Sequence, residues 1–162
     1  MKRLYWLVPV VVALITAAIL LTQDTRKPAP DVDYTTLQGK TCNLASMKGK
    51  VVLVNFWATT CPGCVEEMSN LGSLQNKFGP KGYETLSVAM QYDPQLYVQN
   101  FVSQQKMPFI ITHDLSGNIA RAFGDVSLTP TSFLIDKNGK IVKQYLGAIN
   151  KEQLEVTIEK LL

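Results

Sequence analysis

The sequence is poor in charge, and its small net charge is concentrated at one end. Charged residues make up 18% of the 162 residues and hydrophobic ones 46%, a balance that excludes extensive intrinsic disorder. The formal net charge is only +3, and Lys2 and Arg3 supply two of these charges. The rest of the chain has no electrostatic footprint for nucleic acid, which is therefore excluded as a partner class.

Metal-binding side chains are equally scarce. The sequence has three cysteines and one histidine, and Cys42 and His113 stand alone instead of in ligand pairs, so no metal site is predicted. The Pro-x3-Thr-x2-Cys motif of peroxiredoxins is absent. Internal repeats and low-complexity tracts are absent too, and the length suits one domain of ordinary size.

One long apolar run stands out at the amino terminus. Of the 18 residues 4–21, 16 are hydrophobic. As a helix this run would span about 27 Å, enough for the hydrocarbon core of a membrane. A cleaved signal peptide is the alternative, but the run continues past Ala17 and Ala18, where cleavage would occur. The pattern favours an uncleaved signal anchor at 1–22 over a cleaved peptide, and a buried core helix ranks last.

A short polar segment separates this run from the rest of the chain. Residues 23–32 contain Pro28 and Pro30 and are poorly suited to helix or sheet, which predicts a tether. Residues 33–162 then form the predicted soluble domain.

The apolar patterns of that domain alternate between strand and helix. The run at 51–56 is continuously apolar, which predicts a strand buried on both faces at the centre of a sheet. A helix over 94–105 would bury Leu96, Val98, Phe101 and Val102. The remaining predictions are a hairpin at 33–44, a helix from Cys64 to Phe78, strands at 84–90 and 109–112, a helix capped by Ser116 and running to Phe123, a hairpin at 131–146 and a last helix at 151–162. This order predicts an α/β sandwich with a mixed sheet.

The chemistry lies in the segment Cys61-Pro62-Gly63-Cys64, between the central strand and the helix that follows. If Cys61 is the helix N-cap, Pro62 takes the first helical position, and the amides of Gly63 and Cys64 point at the Cys61 sulfur. The amides and the helix dipole favour the thiolate and lower the pKa of Cys61. Cys61 is thus the predicted attacking nucleophile. Cys64, one turn deeper, is predicted to resolve the mixed disulfide.

A Cys-x2-Cys pair has two other common uses. A zinc site needs two more ligands, for which only Cys42 and His113 remain. A purely structural disulfide would be an unusual cross-link for a domain able to build its own core. The redox interpretation is therefore favoured, with Cys42 as a small, partly buried apolar residue or, with less support, a third redox thiol.

Several segments together resemble the thioredoxin-fold thiol–disulfide oxidoreductases of the membrane-anchored TlpA, ResA and CcmG-like branch. They are GKVVLVNFW at 49–57, the cysteine pair, EEM at 66–68, LTPT at 128–131 and KNGK at 137–140. The resemblance covers about 34–162 and implies a thioredoxin-like fold with a strand–helix insertion at 91–116.

The resemblance also implies which residues meet a substrate. Pro130 matches the cis-proline that faces the cysteine pair and leaves the Thr129 backbone free to pair with an extended substrate strand. Without the resemblance, a trans proline at a strand edge would be favoured. Trp57 matches a tryptophan beside the pair, although a core aromatic is the alternative. The predicted substrate-contacting residues are Trp57, Pro62, Gly63, Thr129, Pro130 and Gly147.

Two departures from the thioredoxin pattern bear on catalysis and specificity. Asn55 stands where many thioredoxins have a buried Asp that takes the proton of the resolving thiol. In the resembling branch this role falls to a Glu, here Glu67, three residues after Cys64 on the same helix face. A solvated Glu near a helix start is the alternative, and it is preferred for Glu66. Thr60 replaces a second tryptophan, a change that concerns partner choice.

The resemblance implies a membrane-tethered enzyme on the extracytoplasmic, periplasmic side of a bacterial inner membrane. It implies reduction of protein disulfides, such as those of apocytochrome c or metal-site proteins, with electrons from a membrane relay protein. The redox-active disulfide would serve without any bound cofactor. A disulfide-forming oxidase and a non-catalytic chaperone or metal-binding module of the same fold are the alternatives.

Overall fold

The computed structural model of the protein describes residues 25–162, together with Val12. The predicted anchor at 1–22 therefore lies outside the described residues, Val12 excepted. Among the described residues, no helix combines the length and the apolar character that crossing a membrane requires.

Strands and helices alternate along the described part of the chain. The strands are β1 (Asp33–Thr35), β2 (Thr41–Asn43), β3 (Val51–Trp57), β4 (Tyr83–Ala89), β5 (Ile110–His113), β6 (Thr131–Ile135) and β7 (Ile141–Leu146). The helices are α1 (Pro62–Phe78), α2 (Gln95–Gln105), α3 (Asn118–Ala122) and α4 (Lys151–Leu161), with short 3-10 turns at Leu44–Met47 and Gly79–Lys81. The predicted order of elements is confirmed.

The central sheet has five strands in the order β5-β4-β3-β6-β7. β3 runs parallel to β4 and antiparallel to β6, so the sheet is mixed. β1 and β2 form a separate antiparallel hairpin. Every residue of β3 is buried, as expected for a strand that has neighbours on both edges and helices over its faces.

Alternate residues of β3 supply two apolar cores, because successive side chains of a strand point to opposite faces. Leu53 and Trp57 pack with α1 and α4 on one face. Val54 and Phe56 pack with the hairpin, α3 and Phe133 on the other. The helix that carries the cysteine pair is thereby held along its whole apolar face against the middle of the sheet.

The burial predicted for α2 is only partly correct. Val98 is fully buried and Phe101 is half-buried against Trp57, but Leu96 is 63% exposed. α2 contacts the body through one narrow line of residues, and Leu96 lies in its first turn on the side facing away. Leu96 is therefore a surface residue, contrary to the prediction.

The predicted N-cap of α3 is wrong. Gly117, not Ser116, is the N-cap, with a positive φ of 68° that suits glycine. The buried Asp114 carboxylate accepts hydrogen bonds from the amides of Ile119 (3.2 Å) and Ala120 (2.8 Å). A turn closed by the Gly117 amide and the Asp114 carbonyl brings this carboxylate back to the helix start, an arrangement that spacing alone does not indicate.

The segment before the hairpin is docked on the domain. The Ala29 amide donates to the Gly139 carbonyl (2.8 Å), the Ile141 amide donates to the Lys27 carbonyl (2.9 Å), and Arg26 pairs with Asp136 at 2.9 Å. The register places this β6–β7 turn beside the start of β3, about 17 Å from the strand's other end. Part of the predicted tether is therefore bound to the domain, at the end opposite the cysteine pair.

Replacing Asp136 with alanine is expected to lower the free energy of unfolding by about 2 kcal/mol, because its buried carboxylate also accepts from two amides of the β6–β7 turn. Urea denaturation measures the loss, and trypsin should cut faster after Arg26. The exposed Asp31→Ala is the control, with a change within about 0.5 kcal/mol. Equal trypsin sensitivity of Asp136→Ala and the unaltered protein would contradict the anchoring role of this carboxylate.

Candidate active site

The cysteine pair lies where β3 ends and α1 begins, at the centre of the sheet. The chain leaves Trp57 and makes a tight turn in which the Cys61 amide donates to the Ala58 carbonyl (3.1 Å). Such strand-to-helix junctions at the carboxyl edge of parallel strands are the usual binding positions of α/β sheets.

Cys61 is the N-cap of α1 and Pro62 takes the first helical turn, as predicted. The Cys64 amide donates to the Cys61 Sγ at 3.2 Å. Among residues 25–162 the Gly63 amide is not a second donor to this sulfur, so one of the two predicted contacts is absent. One N–H···S bond and the helix dipole remain to favour the thiolate of Cys61.

The two cysteines form a disulfide with 5.3 Å between their Cα atoms, and they differ sharply in exposure. Cys61 is partly exposed, whereas Cys64 is only 1% exposed within the core. An incoming thiolate or disulfide can therefore reach the Cys61 sulfur and not the Cys64 sulfur. Cys42, cross-strand from Tyr34, is a free, half-buried cysteine of the separate hairpin.

Glu67 is a buried carboxylate of α1, one turn after Cys64, and only 4% exposed. Its Oε1 accepts from the Ile149 amide (2.8 Å) and its Oε2 from the Asn55 Nδ2 (3.2 Å). Burial raises the pKa of Glu67 above its ordinary value, and the two hydrogen bonds offset part of that rise. The alternative of a solvated Glu67 is thus wrong, whereas Glu66 is exposed as preferred.

Asn55 connects this carboxylate to a neighbouring strand. Its Nδ2 also donates to the Ser132 Oγ at 2.9 Å, and all three side chains are buried. The sequence indicates only that Asn55 cannot take a proton. Its contact with Glu67 went unpredicted, as did the parts of Ser132 and Ile149, because their partners come from other elements of the fold.

The loop before β6 faces the same end of the sheet. The Thr129–Pro130 bond is cis, as the resemblance implied, and Pro130 is buried while Thr129 is half-exposed. The Gly147 amide donates to the Pro130 carbonyl at 2.8 Å. Gly147 has φ 83°, a conformation open to glycine, and it follows the last residue of β7. Pro130 and Gly147 are thus direct neighbours.

Trp57 lies beneath the pair and not on its surface. The ring is 0% exposed and packs against Phe101 with 5.2 Å between ring centroids. Its carbonyl accepts from the Met90 amide at 2.9 Å. Trp57 therefore belongs to the core, which is the alternative to a tryptophan exposed beside the pair.

Two residues of the loop after β4 were missed. Asp93 is 2% exposed, and its carboxylate accepts from both the amide and the hydroxyl of Thr59, each at 2.6 Å. The neighbouring Tyr92 hydroxyl lies 3.3 Å from the Thr129 Oγ1. One loop therefore touches both the turn that carries Cys61 and the loop of Pro130. The Asp-Pro step at 93–94, directly before the predicted helix, was the available signal.

The described residues contain no group of three or more His, Cys, Asp or Glu side chains placed to hold a metal ion. The arrangement that they do contain is an accessible sulfur, a buried sulfur bonded to it and a buried carboxylate one turn away. Such an arrangement can exchange disulfides through one thiol and release the product through the other.

Comparison with known proteins gives consistent matches. The family model described as Redoxin matches residues 24–162. The chain is 39% identical over 135 residues to thiol-disulfide oxidoreductase ResA of Bacillus thuringiensis subsp. konkukian, a match covering 83% of this chain and 77% of that protein.

Solved structures share the fold over most of their length. A thiol:disulfide interchange protein of the thioredoxin family from Chlorobium tepidum has 27% identity and a TM-score of 0.78, covering 86% of this chain and 99% of that chain. The exposed lipoprotein thioredoxin Etrx1 of Streptococcus pneumoniae has 27% identity and a TM-score of 0.71, covering 81% and 99%.

Proposed function

The chain belongs to the Redoxin family, as a thioredoxin-fold thiol–disulfide oxidoreductase of the ResA-like branch, and from this premise we propose that it reduces disulfide bonds of other proteins outside the cytoplasm. The difference in exposure between the two sulfurs carries the exchange step of this proposal, because only Cys61 is accessible to a substrate. Reduced Cys61 attacks a substrate disulfide and forms a mixed disulfide. Cys64 then attacks Cys61, which restores the Cys61–Cys64 bond and releases the substrate as a dithiol.

Glu67 is the proposed proton acceptor of the Cys64 thiol. Its carboxylate lies on the same face of α1, one turn on, and burial raises its pKa above the ordinary value, which makes it a stronger proton acceptor. Asn55 and the Ile149 amide hold the carboxylate in place.

The charges around the pair support reduction over oxidation. Strong oxidases owe their high potential to a strongly stabilised thiolate. Here 58–67 contain no Lys, Arg or His but include Glu66 and Glu67. These acidic groups disfavour a thiolate at Cys61, which favours the disulfide form and lowers the reduction potential.

The substrate is proposed to bind as an extended segment. The half-exposed Thr129 backbone would pair with it, Pro130 and Gly147 would border it, and Pro62 and Gly63 at the start of α1 would contact it near the sulfur. Trp57 would support these contacts from within the core. Apocytochrome c and metal-site proteins, whose paired thiols must be kept reduced, fit this substrate class.

The proposed location is the outer face of a bacterial cytoplasmic membrane, with the apolar run at 4–21 as the anchor and a membrane protein that relays electrons to the disulfide. Extracytoplasmic compartments are where protein disulfides persist and need such a reductant. One structural relative is named as an exposed lipoprotein, which agrees with this placement.

The reduction potential tests the proposed direction. Equilibration of the Cys61–Cys64 pair in glutathione buffers should give a midpoint near that of a reducing thioredoxin, about −270 mV, and well below the value of about −120 mV typical of an oxidase. A midpoint above about −150 mV would instead support the disulfide-forming oxidase. A pair that does not cycle in such buffers would support the non-catalytic module.

A further inference from the structure

Asp93 is a buried carboxylate to which neither the cysteine chemistry nor the core packing assigns a role. It is 2% exposed, and both of its oxygens accept short hydrogen bonds from one residue, Thr59. A charge in such a place loses its hydration, a cost that charge-assisted hydrogen bonds must offset. Asp93 therefore fixes Thr59 through two hydrogen bonds, one from its amide and one from its hydroxyl.

Thr59 is the second residue of the turn from Ala58 to Cys61. The turn is closed by its own hydrogen bond, from the Cys61 amide to the Ala58 carbonyl at 3.1 Å. The Thr59 amide takes no part in that bond and donates to the Asp93 carboxylate instead. The Thr59 hydroxyl adds a side-chain contact, so that both the backbone and the side chain of Thr59 are fixed.

Cys61 is both the last residue of this turn and the N-cap of α1. The contact of its sulfur with the Cys64 amide at 3.2 Å depends on the Cys61 backbone, with φ −102° and ψ 102°. A shift of the turn would swing the sulfur away from the helix N-terminus. A shift of Thr59 would therefore weaken the stabilisation of the thiolate by the helix.

Asp93 is itself firmly held. Its amide donates to the Met90 carbonyl at 3.0 Å, and the Met90 amide donates to the Trp57 carbonyl at 2.9 Å. Pro94, the N-cap of α2, follows at once and fixes the chain on the other side. These hydrogen bonds connect the end of β3 to the loop after β4, and Asp93 in that loop to the turn that carries Cys61.

We propose that Asp93 is a positioning residue for Cys61, which acts through Thr59 to hold the Cys61 sulfur at the N-terminus of α1. This inference deepens the proposed function, because it names the residue that prepares the same nucleophile for attack. Asp93 takes no part in bond making or bond breaking.

The Asp93→Asn variant of the full chain tests this assignment, in a Cys42→Ser background so that Cys61 is the one accessible thiol. Asn offers one acceptor oxygen in place of two and turns an NH2 group toward a Thr59 donor. Alkylation of the reduced protein by iodoacetamide near neutral pH should slow about tenfold, with the midpoint of its pH profile raised. Removing the negative charge would by itself speed alkylation, so an unchanged or faster rate overturns the proposal.

Asp114→Asn is the matched control. Asp114 is 3% exposed and follows the next strand of the sheet, but its carboxylate accepts from two amides of α3 and does not touch the Cys61 turn. We expect Asp114→Asn to lose about as much unfolding free energy as Asp93→Asn but to be alkylated at the wild-type rate. If alkylation slowed equally in both variants, general destabilisation would explain the effect and the proposal would be overturned.

Substitutions at Thr59 cover the case in which Asp93→Asn does not fold. Thr59→Val deletes one of the two donors and should slow alkylation partly, whereas Thr59→Ser keeps both donors and should restore the wild-type rate. Equal rates for Val and Ser would overturn the assignment. Alkylation needs no substrate, so its outcome is separate from the proposed function, which fails if the unaltered protein reduces no protein disulfide.

Discussion

Replacing Cys61 with serine is expected to lower the rate of disulfide exchange by at least about a thousandfold, the scale seen when a catalytic nucleophile is removed. A serine hydroxyl is not ionised near neutral pH and cannot attack a disulfide. Cys64 cannot substitute for it, because its sulfur is 1% exposed. The rate of reduction of a protein disulfide by the pre-reduced enzyme measures the loss.

Replacing Cys64 with serine should have a different outcome, because the exposed nucleophile remains. The variant should complete the first attack and then stop, so that mixed disulfides through Cys61 accumulate in the native envelope. Mass spectrometry of these adducts identifies the substrates. Cys42→Ser is the control, since the half-buried Cys42 lies in the separate hairpin, and it should exchange at the wild-type rate.

Two observations would contradict these roles. Mixed disulfides that persist after Cys61→Ser would assign the attack to another thiol. If Cys64→Ser formed no mixed disulfide with any envelope protein, the support for protein substrates would be lost. The non-catalytic module would then be the better interpretation.

Replacing Glu67 with glutamine is expected to slow release of the mixed disulfide about a hundredfold, within the range of general-base catalysis. The amide cannot take the proton of Cys64, so the resolving thiolate forms less readily. Stopped-flow measurement of the second step, separate from the first attack, tests this. An unchanged rate and an unchanged pKa of Cys64 would show that Glu67 is a structural residue.

The same substitution has a predictable effect on stability. Burial raises the pKa of Glu67 in the folded protein above its ordinary value of 4.5, so the folded state binds the proton more tightly than the unfolded state. The stability linked to Glu67 is therefore present below pH 4.5 and declines as the pH rises through the folded-state pKa. Urea denaturation against pH should show this decline in the wild type and its absence in Glu67→Gln.

Glu66→Gln is the matched control for both measurements. Glu66 is the exposed neighbour of Glu67 on α1, so its replacement should change neither the release step nor the pH dependence of stability beyond about 0.5 kcal/mol. The Glu67→Gln substitution also changes a contact, since the new NH2 group faces the Asn55 Nδ2 donor and the Asn55 amide has to turn over. A Glu67→Gln effect limited to stability would be explained by that contact alone.

The elements of the domain were largely predictable because their patterns are local. The apolar run before the cysteine pair predicted β3, and the Asp136–Lys140 turn residues predicted the hairpin of β6 and β7. The N-cap position of Cys61 also followed from its own neighbours, since a Pro after a capping residue marks a helix start. Leu96 was misjudged because helical periodicity indicates a face but not which face is covered.

The chain by itself determined the reactive pair, its position between a buried strand and a helix, and a carboxylate one turn beyond. These properties depend on residues that are close together in the sequence, since Glu67 follows Cys61 by only six positions. Only the tertiary structure decided what holds that carboxylate and that turn. Asp93 meets Thr59 across 34 positions, Asn55 meets Ser132 across 77, and Ile149 meets Glu67 across 82. Such partners depend on which strands pair and which loops meet at one edge of the sheet, and a one-dimensional pattern does not contain that information.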